Sequence, residues 1–160
     1  MRWQQFAEAA SELATLGKER FDDRGLALLG TLRKNGGPRI SPIEPYFVDG
    51  ELMLGMMWRS RKALDIKRDP RVTLHSPTCD REGAEGDFKL YGRAADVPDA
   101  IRRKRYGDAT EERIDWRPDE PFHLFSLEIE SASYIVFGTG QKVLRWSHTA
   151  GPQRIAHPND

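Results

Sequence analysis

A strand-like run, Glu51-Leu52-Met53-Leu54-Gly55-Met56-Met57, gives way to Ser60-Arg61-Lys62-Ala63 and then to Asp69-Pro70-Arg71-Val72. This stretch constrains the fold more than any other. Ser60 is a good helix N-cap by type, because its hydroxyl can accept from a backbone N–H two or three residues on. Pro70 disfavours a helical Asp69, so the spacing predicts a short helix from about Arg61 that stops before Pro70. Arg61 and Lys62 then sit in the first turn, at the positive end of the helix dipole, where cations are unfavourable unless an anion is present. A hydroxyl, free N–H groups, a guanidinium and an ammonium together make a phosphate site. The plainer alternative is a surface helix that simply begins Ser-Arg-Lys.

Around this stretch the chain reads as mainly β. Trp3 to Arg20 has the period of an amphipathic helix, with Trp3, Phe6, Ala10, Leu13 and Leu16 on one side and Gly17 as a stop. Its apolar face suits either a partner or, better, one end of a barrel. Leu26–Leu32 is an apolar strand, and Asn35-Gly36 is a hairpin signal. Pro38-Arg39-Ile40-Ser41-Pro42-Ile43 leads into Pro45–Val48; three prolines require irregular pairing or an edge, leaving backbone groups free for a ligand or merely bending the strand. Arg71–His75 and Asp87–Val97 are strands, the second with a bend at Gly92. Pro98 opens a helix carrying Arg102-Arg103-Lys104-Arg105, which points around the helix rather than along one face and has Asp99, Asp108, Glu111 and Glu112 nearby. Phe122–Glu130 alternates with period two, Ser131-Ala132-Ser133 turns, Tyr134–Phe137 and Lys142–Trp146 are further strands, and Gly138-Thr139-Gly140 is a hinge. Residues 1–150 form one domain, and Gly151–Asp160 is a polar tail expected to fray. The sum is a small β-barrel with peripheral helices.

Several chemistries find no support. Twenty-five basic residues balance 25 acidic ones, so no global field favours nucleic acid or an anionic membrane surface. There is no membrane-length apolar run and no signal-peptide core, so a cytoplasmic protein is expected. Cys79 is alone in a polar loop, and His75, His123, His148 and His157 lack metal-ligand spacing. No nucleophile elbow, Walker loop or three-glycine dinucleotide loop is present. An enzyme built on this chain needs a bound cofactor to carry the reaction.

Strand, turn, Ser60-Arg61-Lys62-Ala63, short helix, Asp69-Pro70-Arg71-Val72, strand resembles the cofactor segment of the pyridoxamine 5′-phosphate oxidase-like split-barrel family, over roughly Leu26 to Val97. The resemblance implies a homodimeric split barrel that binds FMN, or the deazaflavin F420, and acts as an oxidoreductase on a small molecule. It implies that Ser60, Arg61 and Lys62 hold the cofactor phosphate, that Arg39, Ile40, Ser41 and Pro42 lie along the ring and its side chain, and that Gly55 and Met56 pass close by. An F420 tail would ask for further cations such as Arg59 or Lys89. Glu44 stands where flavin-oxidising relatives often have a basic residue. The Arg- and His-bearing C-terminal segment of the vitamin B6 oxidases has only weak echoes in Arg145-Trp146 and Arg154, which points away from pyridoxamine phosphate as substrate. Trp58 and Trp146 are candidates for stacking on a ring or for packing. A non-catalytic flavin- or haem-binding protein, or a structural dimer with a vestigial anion site, are the rival readings.

Overall fold

The computed structural model describes residues 1–160. Helices α1 (Trp3–Ala9) and α2 (Ser11–Arg24) precede strands β1 (Ala27–Leu32), β2 (Pro38–Ile43), β3 (Pro45–Val48) and β4 (Glu51–Met57). Then follow α3 (Arg61–Arg68), β5 (Arg71–His75), β6 (Asp87–Asp96), α4 (Ala100–Ile114), β7 (Phe122–Val136), β8 (Lys142–Ser147) and β9 (Gly151–Ile155).

All strand pairs are antiparallel, in the order β2-β1-β5-β6-β7-β4-β3. The two ends of that path, β2 and β3, are consecutive in sequence and joined by Glu44 alone. So short a link brings the two sheet edges together at a covalent seam where no ladder runs. The prolines explain it: Pro38, Pro42 and Pro45 have no N–H to donate, so these strands belong at edges. What reads as one proline-rich strand is therefore two edge strands facing each other across a split in a barrel.

β7 makes a second fork. One of its edges pairs with β6 from Phe125 to Ile135; the other pairs with β4 over Phe122–Ser126 and with β8 over Ser131–Val136. Between these partners, Ile129 exchanges backbone hydrogen bonds with Met1, at 2.8 and 3.0 Å. Ser131-Ala132-Ser133, expected to turn, instead runs on as strand, because a ladder on each side satisfies its backbone. The bend expected at Gly92 is present as a register shift between Tyr91 and Gly92.

The main core joins inward residues of the strands (Leu29, Leu52, Leu54, Leu74, Leu90, Phe125, Leu127) to Trp3, Phe6, Leu13 and Phe21 of the N-terminal helices. The helical apolar face is thus barrel packing. Its helix is not continuous, however. The chain breaks at Ala10 (φ −147°), which lets Phe6 meet Trp146 while Phe21 meets Phe88. Gly17 is no stop; a Cβ there would strike the Phe88 ring, so the helix uses it for close packing. The stop is Gly25, in the left-handed region at φ 64°, with its N–H on the Phe21 carbonyl.

A smaller core of Tyr46, Val48, Met53, Val97, Tyr106, Phe122 and Leu124 lies under α4, on the other face of β3, β4 and β7. The cap of α4 is Asp99, accepting from the Arg102 N–H at 2.8 Å, with Pro98 just outside the helix. The basic run is neutralised locally: Arg102 pairs with Glu51, Arg103 with Glu120, Lys104 with Asp108 and Arg105 with Asp49. The C-terminal tail does not fray at its start; β9 pairs with β8, and His157 is buried against Phe137. Cys79 is exposed, as its loop position suggests. No helix is long and apolar enough to cross a membrane.

Candidate functional site

Where the seam leaves β2 and β3 unpaired, a cleft of about 540 Å³ opens. Pro42, Ile43 and Glu44 line it from the seam, and Gly55, Met56, Met57 and Trp58 from the end of β4. Lys62 enters from α3, Tyr106 from α4, and Trp116, Pro118, Asp119, Pro121 and Phe122 from the loop into β7. The walls are largely apolar, with few polar groups, as small-molecule sites tend to be.

Of the residues that the resemblance assigns to a cofactor, Pro42, Gly55, Met56 and Lys62 line this cleft. Arg39, Ile40, Ser41, Ser60 and Arg61 do not line it. Strand alternation sends Ile40 outward, 73% exposed. Arg39 is committed elsewhere: its Nε donates to Asp65 Oδ2 at 2.6 Å, and Asp65 also accepts from Thr31 and Arg68. Lys62, one turn before Asp65, donates from Nζ to the Pro42 carbonyl at 2.7 Å. These two bonds lay α3 across β2. Burial pulls the Lys62 pKa down, and its carbonyl contact leaves the ammonium two further donors.

At the start of α3 the expected cap is only half realised. Ser60 occupies the N-cap position, yet its hydroxyl makes no cap bond. Its Oγ is buried without any partner. The first intrahelical bond is Leu64 N–H to Ser60 O, so the N–H groups of Arg61, Lys62 and Ala63 keep no carbonyl partner. A buried hydroxyl left unsatisfied costs about 1–3 kcal/mol. An oxygen-rich anion at this turn would satisfy the hydroxyl and the N–H groups together.

The inner end of the cleft is phenolic. The Tyr106 hydroxyl rests on Gly55, at the place a Cβ would occupy. Burial raises the Tyr106 pKa far above the ordinary phenol value, helped by Tyr46 and Glu44, so this hydroxyl stays protonated. Tyr46 is shifted the same way by burial and then by Glu44, against the pull of Arg113, and its hydroxyl has no partner. Glu44 itself is exposed.

Two residues were legible only in part. Trp146 is 3% exposed and packs on Phe6, so it is core. Trp58 is 49% exposed at the cleft and stacks on His123. Nothing in the sequence paired Trp58 with a histidine so distant along the chain. No group of His, Cys, Asp and Glu is arranged to hold a metal.

A barrel split at a seam, with a cleft in the split and a helix start beside it, defines the split-barrel class. The family model described as pyridoxamine 5′-phosphate oxidase matches residues 17–136, and the chain belongs to that family. Solved structures share the fold. A pyridoxamine 5′-phosphate oxidase-related, FMN binding protein from Nostoc punctiforme is 16% identical, with 92% of this chain and 96% of that one covered and a TM-score of 0.67. ChuZ from Campylobacter jejuni is 17% identical, covering 88% of this chain and 61% of that one at a TM-score of 0.71. A heme binding protein from Mycobacterium smegmatis is 18% identical, covering 82% of this chain at a TM-score of 0.63. The chain spans only 57% of that heme binding protein's length. No curated protein sequence matches.

Proposed function

We propose that this protein is a homodimeric FMN-binding oxidoreductase acting on a small molecule. The observation that carries the reading is the orphaned Ser60 hydroxyl beside the unpartnered N–H groups of Arg61, Lys62 and Ala63. These atoms fit a phosphoryl group: several donors converge, and the Arg61 and Lys62 side chains supply the charge that a buried dianion needs. The mostly apolar cleft next to them suits a flat ring. A bound flavin supplies the hydride and electron transfer for which the cleft has no side-chain set. The side chains bind and orient, and the Tyr106 hydroxyl stays protonated as a donor at the inner end.

The outer face of the sheet supports a dimer. Register places Ile40, Gly30, Thr73 and Tyr91 in one row across β2, β1, β5 and β6, and Pro42, Leu28, His75 and Lys89 in the next. Ile40, Tyr91 and Leu28 are 73%, 42% and 40% exposed. A second copy is the occupant that would cover them.

Glu44 favours a second reading. A carboxylate in the cleft, with Lys62 its one lining cation, is a weaker match to an anionic flavin, and haem, the ligand of the M. smegmatis heme binding protein, or F420 are the competing ligands. An absorption spectrum of the purified protein and titration with FMN, riboflavin, F420 and haemin decide between them. FMN should bind at least about tenfold tighter than riboflavin, since only FMN reaches the α3 anion site. Arg61→Ala with Lys62→Ala should weaken FMN about a hundredfold and riboflavin far less, given ~1.5–3 kcal/mol per charged hydrogen bond. A double variant that binds FMN as tightly as the parent refutes the anchor. Reduction of the bound flavin by NAD(P)H with turnover of an acceptor supports the enzyme; tight binding with no turnover favours a carrier.

A further inference from the structure

The chain has four tryptophans, and they divide into two kinds. Trp3 and Trp146 are core residues, 7% and 3% exposed. Trp58 and Trp116 are 49% and 53% exposed, and both line the one cleft. Half-exposed indoles are unfavourable surface, so their convergence on a cavity points to a ligand.

Trp58 is the more constrained of the two. Its ring lies on the His123 imidazole at 4.6 Å between centroids and 17° between planes. His123 in turn stacks on Phe125, at 6.1 Å and 18°. One face of the indole is therefore covered, and the open face is the one left for the cleft. The backbone holds it there at a cost. Arg59, the next residue, sits in the left-handed region at φ 57° without being glycine, and Ser60 N–H closes the turn onto Met57 O at 3.1 Å. Strain of this kind persists where the surroundings over-determine it, and it collects at binding sites. Burial, with Lys67 and Arg103 nearby and only Asp96 opposing, holds His123 below its ordinary pKa. At neutral pH the ring under Trp58 is thus an uncharged aromatic, and the indole keeps its electron-rich open face.

We infer that Trp58, backed by His123, is the platform on which the cleft stacks the ring of its ligand, a planar, electron-poor heteroaromatic. Ring recognition by Trp58 is then separate from phosphate recognition at α3, though only a few residues of chain lie between them. The inference rests on the flavin reading above, and the test separates the two.

Riboflavin, which has the ring and no phosphate, is the probe, with FMN alongside. Bound riboflavin should lose most of its fluorescence to the stacked indole in the parent protein. Trp58→Leu should weaken riboflavin and FMN alike by about tenfold, the scale of one aromatic stack, and restore fluorescence to the flavin that still binds. Trp58→Phe, which keeps a ring, should retain most of the affinity. Trp58 is half exposed, and unchanged thermal unfolding would show that both variants fold. Riboflavin affinity within twofold of the parent in Trp58→Leu, with bound-flavin fluorescence still quenched, overturns the platform and leaves the flavin reading standing. A parent protein that binds neither flavin overturns both.

Discussion

One buried carboxylate fixes where the anion site lies. The Asp65 side chain is 6% exposed and takes hydrogen bonds from Thr31, Arg39 and Arg68, so α3 is tied to β1 and β2 at one oxygen, Oδ2. Burial pushes its pKa up, but the bonds from Arg39, Arg68 and Thr31 outweigh that, and the net shift is downward. A depressed carboxylate adds stability that is present above its unfolded pKa, about 3.9, and is lost as pH falls through the folded value. Asp65→Ala should therefore cost about 3 kcal/mol at neutral pH, since it strands Arg39 and a buried hydroxyl. It should also flatten the fall of stability below about pH 4. Urea unfolding at several pH values measures both. The sequence showed Arg61 and Lys62 as a charged helix start, because that reading needs only neighbours. It did not show that Arg39 pairs with Asp65, because Asp65 lies on another element and only the fold brings the two together.

At the scale of elements, local signals served well and long-range ones did not. Pro70 ended α3 by crowding Asp69 out of the helical region, and the prolines of β2 and β3 put those strands at edges through their missing N–H. Ser131–Ser133 and β9 were missed because small and polar residues become strand only when a neighbouring strand completes their ladder. Gly55 shows the same limit. Nothing local marks it as a contact point, yet it is the gap that admits Tyr106 of α4. Gly55→Ala should press a methyl into a tyrosine that is 4% exposed, at a cost of about 1–3 kcal/mol in thermal unfolding. Tyr106→Phe in the same background removes the closest atom and should recover part of that loss. Equal Tm values for Gly55→Ala and the parent would show that β4 and α4 do not meet in this way.

For the whole molecule, the seam and the outer sheet face belong to one argument. A barrel whose edges meet only through Glu44 has a cleft open on the side where β2 ends, and the rows Ile40–Tyr91 and Pro42–Leu28 lie on the outer face of the same strand. If a second copy covers that face, it borders the cleft and adds a wall that one chain cannot supply. Ligand binding and dimerisation are then linked, each strengthening the other by the same factor. Ile40 does not line the cleft, so it separates the two effects. Ile40→Asp places a charge on the most exposed apolar side chain of this face, at its β2 edge, and should shift the dimer's dissociation constant by about a hundredfold or more, comparable to losing an interface hot spot. Sedimentation equilibrium should find the parent dimeric and the variant monomeric at the same concentration. Linkage then requires FMN to bind the variant more weakly although every cleft residue is intact, and saturating FMN to draw the variant back towards dimer. A monomeric variant with parental FMN affinity would show that the cleft is complete within one chain.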